Sequence, residues 1–234
     1  LNEPLGNKAH LFQGIITGNN DKFLRLWFEV QLSKSSFYLT NIKQFTDEAP
    51  WVPYNKGGLS KKWYGNLELL VNFSKQGVDF TRSRLLNKEY FFKQHFTWNY
   101  RGSGSPLARY YPGYILGDVS GSGGYMNTQN ELHYSIGLIN TKVGASIRRI
   151  INPTSTLQVE DIALFPIAAS IDIPIDTITK NISISKQEWN SRETSWDFIQ
   201  NELVRLSNGG LENTYQQYTS YWTEQFMTLH ANEE

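Results

Sequence analysis

The stretch Tyr90-Phe-Phe-Lys-Gln-His-Phe-Thr-Trp-Asn-Tyr-Arg-Gly-Ser-Gly-Ser-Pro-Leu-Ala-Arg-Tyr-Tyr111 sets two aromatic segments on either side of a Gly/Ser run. Tyr, Phe, Thr and Trp suit a pleated, half-buried surface, so residues 90–101 and 109–117 are expected as strands. Gly102-Ser-Gly-Ser-Pro106 is the loop that joins them. Further strands are expected at Trp51-Val-Pro-Tyr54 and Glu68–Phe73, with a turn at Lys56-Gly-Gly58. Upstream, Gly14-Ile-Ile-Thr-Gly-Asn-Asn-Asp21 is a strand end entering a turn, where Asn19, Asn20 or Asp21 can cap the next segment. Residues 22–32 fit a short amphipathic helix through Phe23, Leu26, Trp27 and Val30, and equally a strand. Downstream the period changes. Leu132, Ile136, Ile139, Val143, Ile147 and Ile150 recur every three to four residues, which predicts one helix over 130–151, stopped at Asn152-Pro153. A short apolar run occupies 173–184. Helical patterns over 186–206 and 211–230 are separated by Asn208-Gly-Gly210. The fold expected is α+β: a mixed, β-rich body with packed helices over 1–170, succeeded by a helical tail over 171–234.

A net charge of zero conceals a split. Between Lys56 and Arg109 ten cations face only Glu68, Asp79 and Glu89. From Glu160 onward twelve carboxylates face Lys180, Lys186, Arg192 and Arg205. A basic middle interleaved with aromatics suits a polyanion, whereas the acidic tail would be repelled by one. The absence of cysteine excludes disulfides and thiolate metal sites and fits a cytoplasmic location. His10, His95, His133 and His230 lack metal-motif spacing, so no metal is expected. No apolar run approaches the roughly 20 residues that span a bilayer, so no membrane association is expected. The start, Leu-Asn-Glu-Pro, carries no initiator Met and no signal-peptide pattern, and the chain is expected to be part of something longer.

Two segments invite a chemical reading. Asp118-Val-Ser-Gly-Ser-Gly-Gly-Tyr125 has the glycines of a cofactor-binding turn, and a small self-contained methyltransferase would use Gly121, Gly123 and Gly124 for S-adenosylmethionine. The spacing is one residue short, no strand–helix alternation comes after it, and Asn152-Pro-Thr-Ser155 lacks the second proline and aromatic of an amine-holding loop. A glycine-lined turn is the preferred reading, with no catalytic residue and no cofactor in this chain. Asn99 to Tyr111 is the other. Arg101 and Arg109 flank the Gly/Ser loop, and Asn99, Tyr100, Ser103 and Ser105 lie between or beside them. Arg and Asn can form bidentate pairs with guanine and adenine edges, and a solvated hairpin with two surface arginines accounts equally for the residues. Lys56, Lys61, Lys62, Arg82, Arg84 and Lys88 are candidates for phosphate contacts. The seven tryptophans are expected as core anchors rather than sugar platforms.

Several segments in collinear order carry a resemblance. They are Gly14–Val30, Trp51-Val-Pro-Tyr-Asn-Lys-Gly-Gly58, Lys62-Trp-Tyr-Gly-Asn66, Tyr90-Phe-Phe-Lys93, Phe96-Thr-Trp-Asn99 and Gly137-Leu-Ile-Asn-Thr-Lys142. The series continues with Asn152-Pro-Thr154, Gln158-Val-Glu-Asp-Ile162, Phe165-Pro-Ile167, Ser185-Lys-Gln-Glu-Trp189 and Glu193-Thr-Ser-Trp-Asp197. Together they resemble the C-terminal part of large adenine-specific DNA methyltransferases, above all that of the BREX phage-defence system. Type IIG restriction–modification enzymes are more distant relatives. The resemblance implies a target recognition domain that binds duplex DNA, while the parent's methyltransferase domain holds S-adenosylmethionine and the catalytic loop. It places Arg101 and Arg109 within the recognition region. It implies as partners duplex DNA, the parent's methyltransferase domain and other proteins of the defence system. A protein-interaction module with a basic aromatic surface is the competing expectation.

Overall fold

The computed structural model describes residues 3–80, 88–102, 107–167 and 174–234. Among these residues the chain is α+β, with ten strands in three sheets. The strands are β1 (Glu3–Pro4), β2 (His10–Phe12), β3 (Leu24–Leu26), β4 (Trp51–Asn55), β5 (Leu69–Asn72), β6 (His95–Trp98), β7 (Ala108–Tyr111), β8 (Leu116–Gly117), β9 (Gly123–Tyr125) and β10 (Pro166–Ile167). The first four-stranded sheet runs β2-β9-β6-β7 and is antiparallel throughout. The second runs β3-β5-β4-β8, with β8 parallel to β4. Strands β1 and β10 pair on their own.

The strand expected at 51–54 extends to Asn55, those at 68–73 and 90–101 are shorter (β5 and β6), and the 109–117 stretch is divided between β7 and β8. Residues 22–32 resolve both ways. A helical turn, α1 (Asn20–Phe23), leads directly into β3, and Asn19 caps it by accepting from the Lys22 amide at 3.0 Å. After β5 comes α2 (Ser74–Gly77), in which Lys75 and Gln76 have positive φ, so it is a left-handed turn rather than a true helix.

The single helix expected over 130–151 is two, α3 (Gln129–Asn140) and α4 (Lys142–Ile151). Thr141 is extended between them, and its Oγ1 accepts from the Gly144 amide at 2.9 Å. One residue thus ends the first helix and caps the second. Thr128 opens α3 with a capping box to Glu131. The proline stop holds, since α4 ends at Ile151. After α5 (Val159–Ala163), α6 occupies Ile175–Asn190, earlier than the 186–206 pattern implied. Ile178 and Ile182 lie on one buried face of it, and Ile178 crosses α3 where Gly137 leaves no side chain in the way. Beyond it lie only α7 (Glu202–Arg205) and the long α8 (Leu211–Glu233).

Two cores result. The first lies beneath the second sheet and gathers Val52, Tyr54, Val71, Phe73, Phe92, Tyr111 and Leu116. The second lies between the first sheet and the helices, with Phe96, Trp98, Ala108, Ile136, Ile139, Ile178 and Ile182. The expected domain boundary at 170 lies outside the described residues, but α6 contributes to both cores, with Trp189 in the first and Ile178 and Ile182 in the second. It packs as part of the body.

A candidate nucleic-acid interface at the β6–β7 hairpin

Strand alternation decides what each hairpin residue does. On β6, Phe96 and Trp98 turn to the helical core, which leaves Thr97 facing the other sheet. On β7, Ala108 joins that core while Arg109 and Tyr111 share the face of Thr97. Between the sheets lies a buried polar layer. Asn55 Nδ2 donates to Thr97 Oγ1 at 3.1 Å, and Asn55 Oδ1 accepts from the Gly57 amide at 2.8 Å. Thr97 Oγ1 donates to Ser122 O at 2.8 Å. The Tyr111 hydroxyl lies 3.0 Å from Gly65 O and 3.2 Å from Asn55 Oδ1.

Arg109 sits in this layer, fully buried. Its guanidinium donates to Lys61 O and Gly57 O, each at 3.2 Å, and to Asn99 Oδ1. The backbone ties are just as close: Trp63 N donates to Ala108 O at 2.9 Å and Tyr110 N to Trp63 O at 2.8 Å. Arg109, expected to read a base, is therefore the pin that holds the 57–63 loop to the hairpin. Three neutral oxygens engage its two Nη atoms, and a base edge could reach it only if that loop detached. Asn99 is also engaged, because its amide donates to Ser60 Oγ at 3.1 Å while its oxygen serves Arg109.

The tip differs from the base. Tyr100 is half-buried and accepts the Leu157 amide at 2.8 Å on its carbonyl. Arg101 is exposed, and its side chain makes no ion pair or hydrogen bond among the described residues. Ser103 and Ser105 lie outside the described residues, as do Arg82 and Arg84. Lys56 is paired with Asp118 at 2.6 Å, and Asp118 also accepts from the Tyr54 hydroxyl at 2.9 Å. Burial, then the Asp118 charge, raises the Tyr54 pKa well above its ordinary value. Lys61 lies over the Trp189 ring at 5.0 Å from its centroid. Lys62 pairs with Glu233 of α8 at 3.0 Å, and Glu233 also accepts from Trp63 Nε1 at 2.6 Å. Lys88 is exposed but stands apart, 3.4 Å from Gln76 Oε1 on the turn after β5. The structure thus gathers Asn99, Arg101, Arg109, Lys61 and Lys62 at one hairpin, with unequal freedom. Arg148, 3% exposed, also reaches this hairpin through Gly102 O at 2.7 Å. Sequence reasoning missed it, and the basic pair Arg148-Arg149 just before Asn152-Pro153 was its one visible signal.

The glycine-rich segment does not fit S-adenosylmethionine. Gly123–Tyr125 is β9, inside the sheet between β2 and β6. A Cβ on Gly123 would come within 2.6 Å of Phe96 O, and one on Gly121 within 2.5 Å of Asn55. These glycines serve close backbone packing. Among the described residues no group of His, Asp and Glu is placed to hold a metal ion, and no helix is long and apolar enough to cross a membrane.

No family model matches the chain. Among curated proteins it is 32% identical over 238 residues to the adenine-specific methyltransferase PglX of Lacticaseibacillus casei (strain Zhang), covering 95% of this chain and 20% of that protein. It is 31% identical over 236 residues to the adenine-specific methyltransferase BrxX of Escherichia coli O9:H4 (strain HS), covering 97% of this chain and 19% of that protein. The chain is therefore homologous to a segment of adenine-specific methyltransferases, and it spans about a fifth of the length of these curated relatives.

Proposed function

We propose that this chain is the target recognition region of an N6-adenine DNA methyltransferase of the BREX phage-defence type, acting on duplex DNA in the cytoplasm. Its work is selection. The catalytic portion of such a parent would bind S-adenosylmethionine, flip an adenine from the stack and methylate it. The observation that carries the reading is Arg101, exposed and unpaired among the described residues, on a hairpin whose base is pinned by Arg109. An arginine held out on a fixed support can form a bidentate pair with guanine at modest entropic cost. Lys61, and Lys62 when it leaves Glu233, would grip phosphates beside it. Arg109 supports the site in place of reading a base. The parent's methyltransferase domain and other proteins of the defence system are the further partners of this reading.

The test is binding of the chain to a pool of random duplex DNA at two salt concentrations, with sequencing of the retained fraction. Enrichment of a short motif that persists at the higher salt is expected. Binding without enrichment would reduce the chain to a phosphate-gripping platform. No binding at low salt would overturn the proposal in favour of a protein-interaction module. One feature supports that second reading: α8 leaves Tyr215, Phe226 and Met227 about 60% exposed.

A further inference from the structure

We infer that the segment Thr154–Thr156 forms one two-stranded ribbon with Tyr100–Gly102, that Thr154 and Ser155 are a second pair of base-reading residues, and that Arg148 positions them. The inference rests on the proposed DNA recognition and extends it to a loop that neither the sequence motifs nor the charge pattern assigned to DNA.

The two segments are zipped together. Gly102 N donates to Ser155 O at 2.9 Å and Leu157 N to Tyr100 O at 2.8 Å, flanking an antiparallel bridge between Arg101 and Thr156. Trp98 Nε1 secures the root by donating to Leu157 O at 3.0 Å. Beneath the ribbon, Arg148 Nη2 donates to Gly102 O at 2.7 Å and to Thr154 O at 2.8 Å. One buried guanidinium therefore holds both strands. Arg148 lies in the last turn of α4, where the helix C-terminus favours a cation. Asn152 braces the far side. Its amide donates to Thr156 O at 3.1 Å and to Asp161 Oδ2 at 2.7 Å, and its oxygen accepts the Thr154 amide at 2.8 Å. Asp161 also accepts the Gln158 amide at 2.8 Å, so its charge is held inward by two donors.

A solvated loop would need no such support. What this ribbon presents outward is Arg101, Thr154 and Ser155, all exposed. The Ser155 hydroxyl makes no hydrogen bond among the described residues, and Thr154 Oγ1 makes only long ones, at 3.3 Å and beyond. Exposed Arg149 adds a cation on α4 that is unpaired among the described residues. The major groove of B-DNA admits a two-stranded ribbon, and serine and threonine hydroxyls can bond the edge of any base.

The test repeats the random-duplex selection with the wild-type chain and with Ser155→Ala, Thr154→Ala, Arg101→Ala and Arg148→Met, alongside melting temperature and salt slope. Ser155→Ala and Thr154→Ala are expected to relax preference at one or two base positions that Arg101→Ala leaves intact. Each should lower the ratio of cognate to scrambled affinity by about 2- to 10-fold, the range of a single hydrogen bond, with melting temperature and scrambled-DNA affinity unchanged. Arg148→Met is expected to relax both sets of positions together while keeping the salt slope. Should Arg148→Met fail to fold, the two exposed variants decide alone. Wild-type selectivity in both of them, with selectivity lost in Arg101→Ala, would overturn the inference and leave the proposed DNA recognition standing. A wild-type chain that enriches no motif would overturn both.

Discussion

Arg101 and Arg109 stand eight residues apart on one hairpin, and the structure gives them opposite conditions. Arg109 is sealed between two sheets, with three oxygens around its guanidinium. Arg101 projects from the tip with no partner among the described residues. The difference comes from where each backbone sits. Position 109 is on the inner face of a strand that another sheet covers, and position 101 lies beyond the last rung of the β6–β7 ladder. A cation's usefulness to a ligand depends on whether the protein has already claimed it. The same rule divides the lysines: Lys56 is claimed by Asp118 and Lys62 by Glu233, whereas Lys61 has only the Trp189 ring beneath it among the described residues.

The contrast breaks most visibly under removal of each arginine. Arg109→Met orphans buried carbonyls of the 57–63 loop and should cost about 4 kcal/mol of unfolding free energy by urea denaturation. Arg101→Ala should stay within about 0.5 kcal/mol of wild type. Equal costs would dissolve the distinction between pin and tip.

The same buried layer makes a prediction about pH. His95 is fully buried at the start of β6, and burial lowers its pKa to about 4, although its ring nitrogen bonds Lys93 O at 3.0 Å. An unfolded histidine titrates near 6.5, so the unfolded state takes up a proton that the folded state refuses. Stability is full above about pH 6.5 and falls as pH drops toward 4, by about 3 kcal/mol. His95→Phe should flatten that decline over this window in thermal melts. An unchanged slope would remove His95 as its cause.

Binding sharpens the comparison further. Arg101→Ala should weaken cognate DNA by about tenfold while barely changing scrambled DNA, consistent with loss of a base contact worth about 1–3 kcal/mol. Lys61→Ala and Lys62→Ala should weaken both and flatten the dependence on salt. Equal losses on both DNAs for Arg101→Ala would remove it from the base readers. The smallest effect is expected at Glu233. Glu233→Gln frees Lys62 and should raise low-salt affinity for any duplex about two- to threefold, with stability changed by less than about 1 kcal/mol. A fall in affinity would mean that Glu233 holds the Lys61–Trp63 loop in its binding form.

Much of the secondary structure was legible locally. The aromatic strands and the stop at Asn152-Pro153 come from side-chain shape and from proline's missing donor. The break at Thr141 was not, because Leu138, Ile139 and Val143 keep the apolar spacing across it, and only the capping bond to Gly144 reveals two helices. Of the candidate site, residue types and neighbourhood were readable. The role of each residue was not, since a strand's pattern does not say which face a second sheet will cover.

Composition and periodicity alone thus determined an α+β chain with a basic, aromatic middle and a helical, acidic end. Tertiary structure alone decided which cations remain free. The partners that neutralise or bury them come from far along the chain: Asp118 is 62 residues from Lys56, Glu233 is 171 from Lys62, and Arg148 lies 46 beyond Gly102. Charge is written in the sequence, but its availability depends on desolvation and pairing, which exist only once the chain has folded.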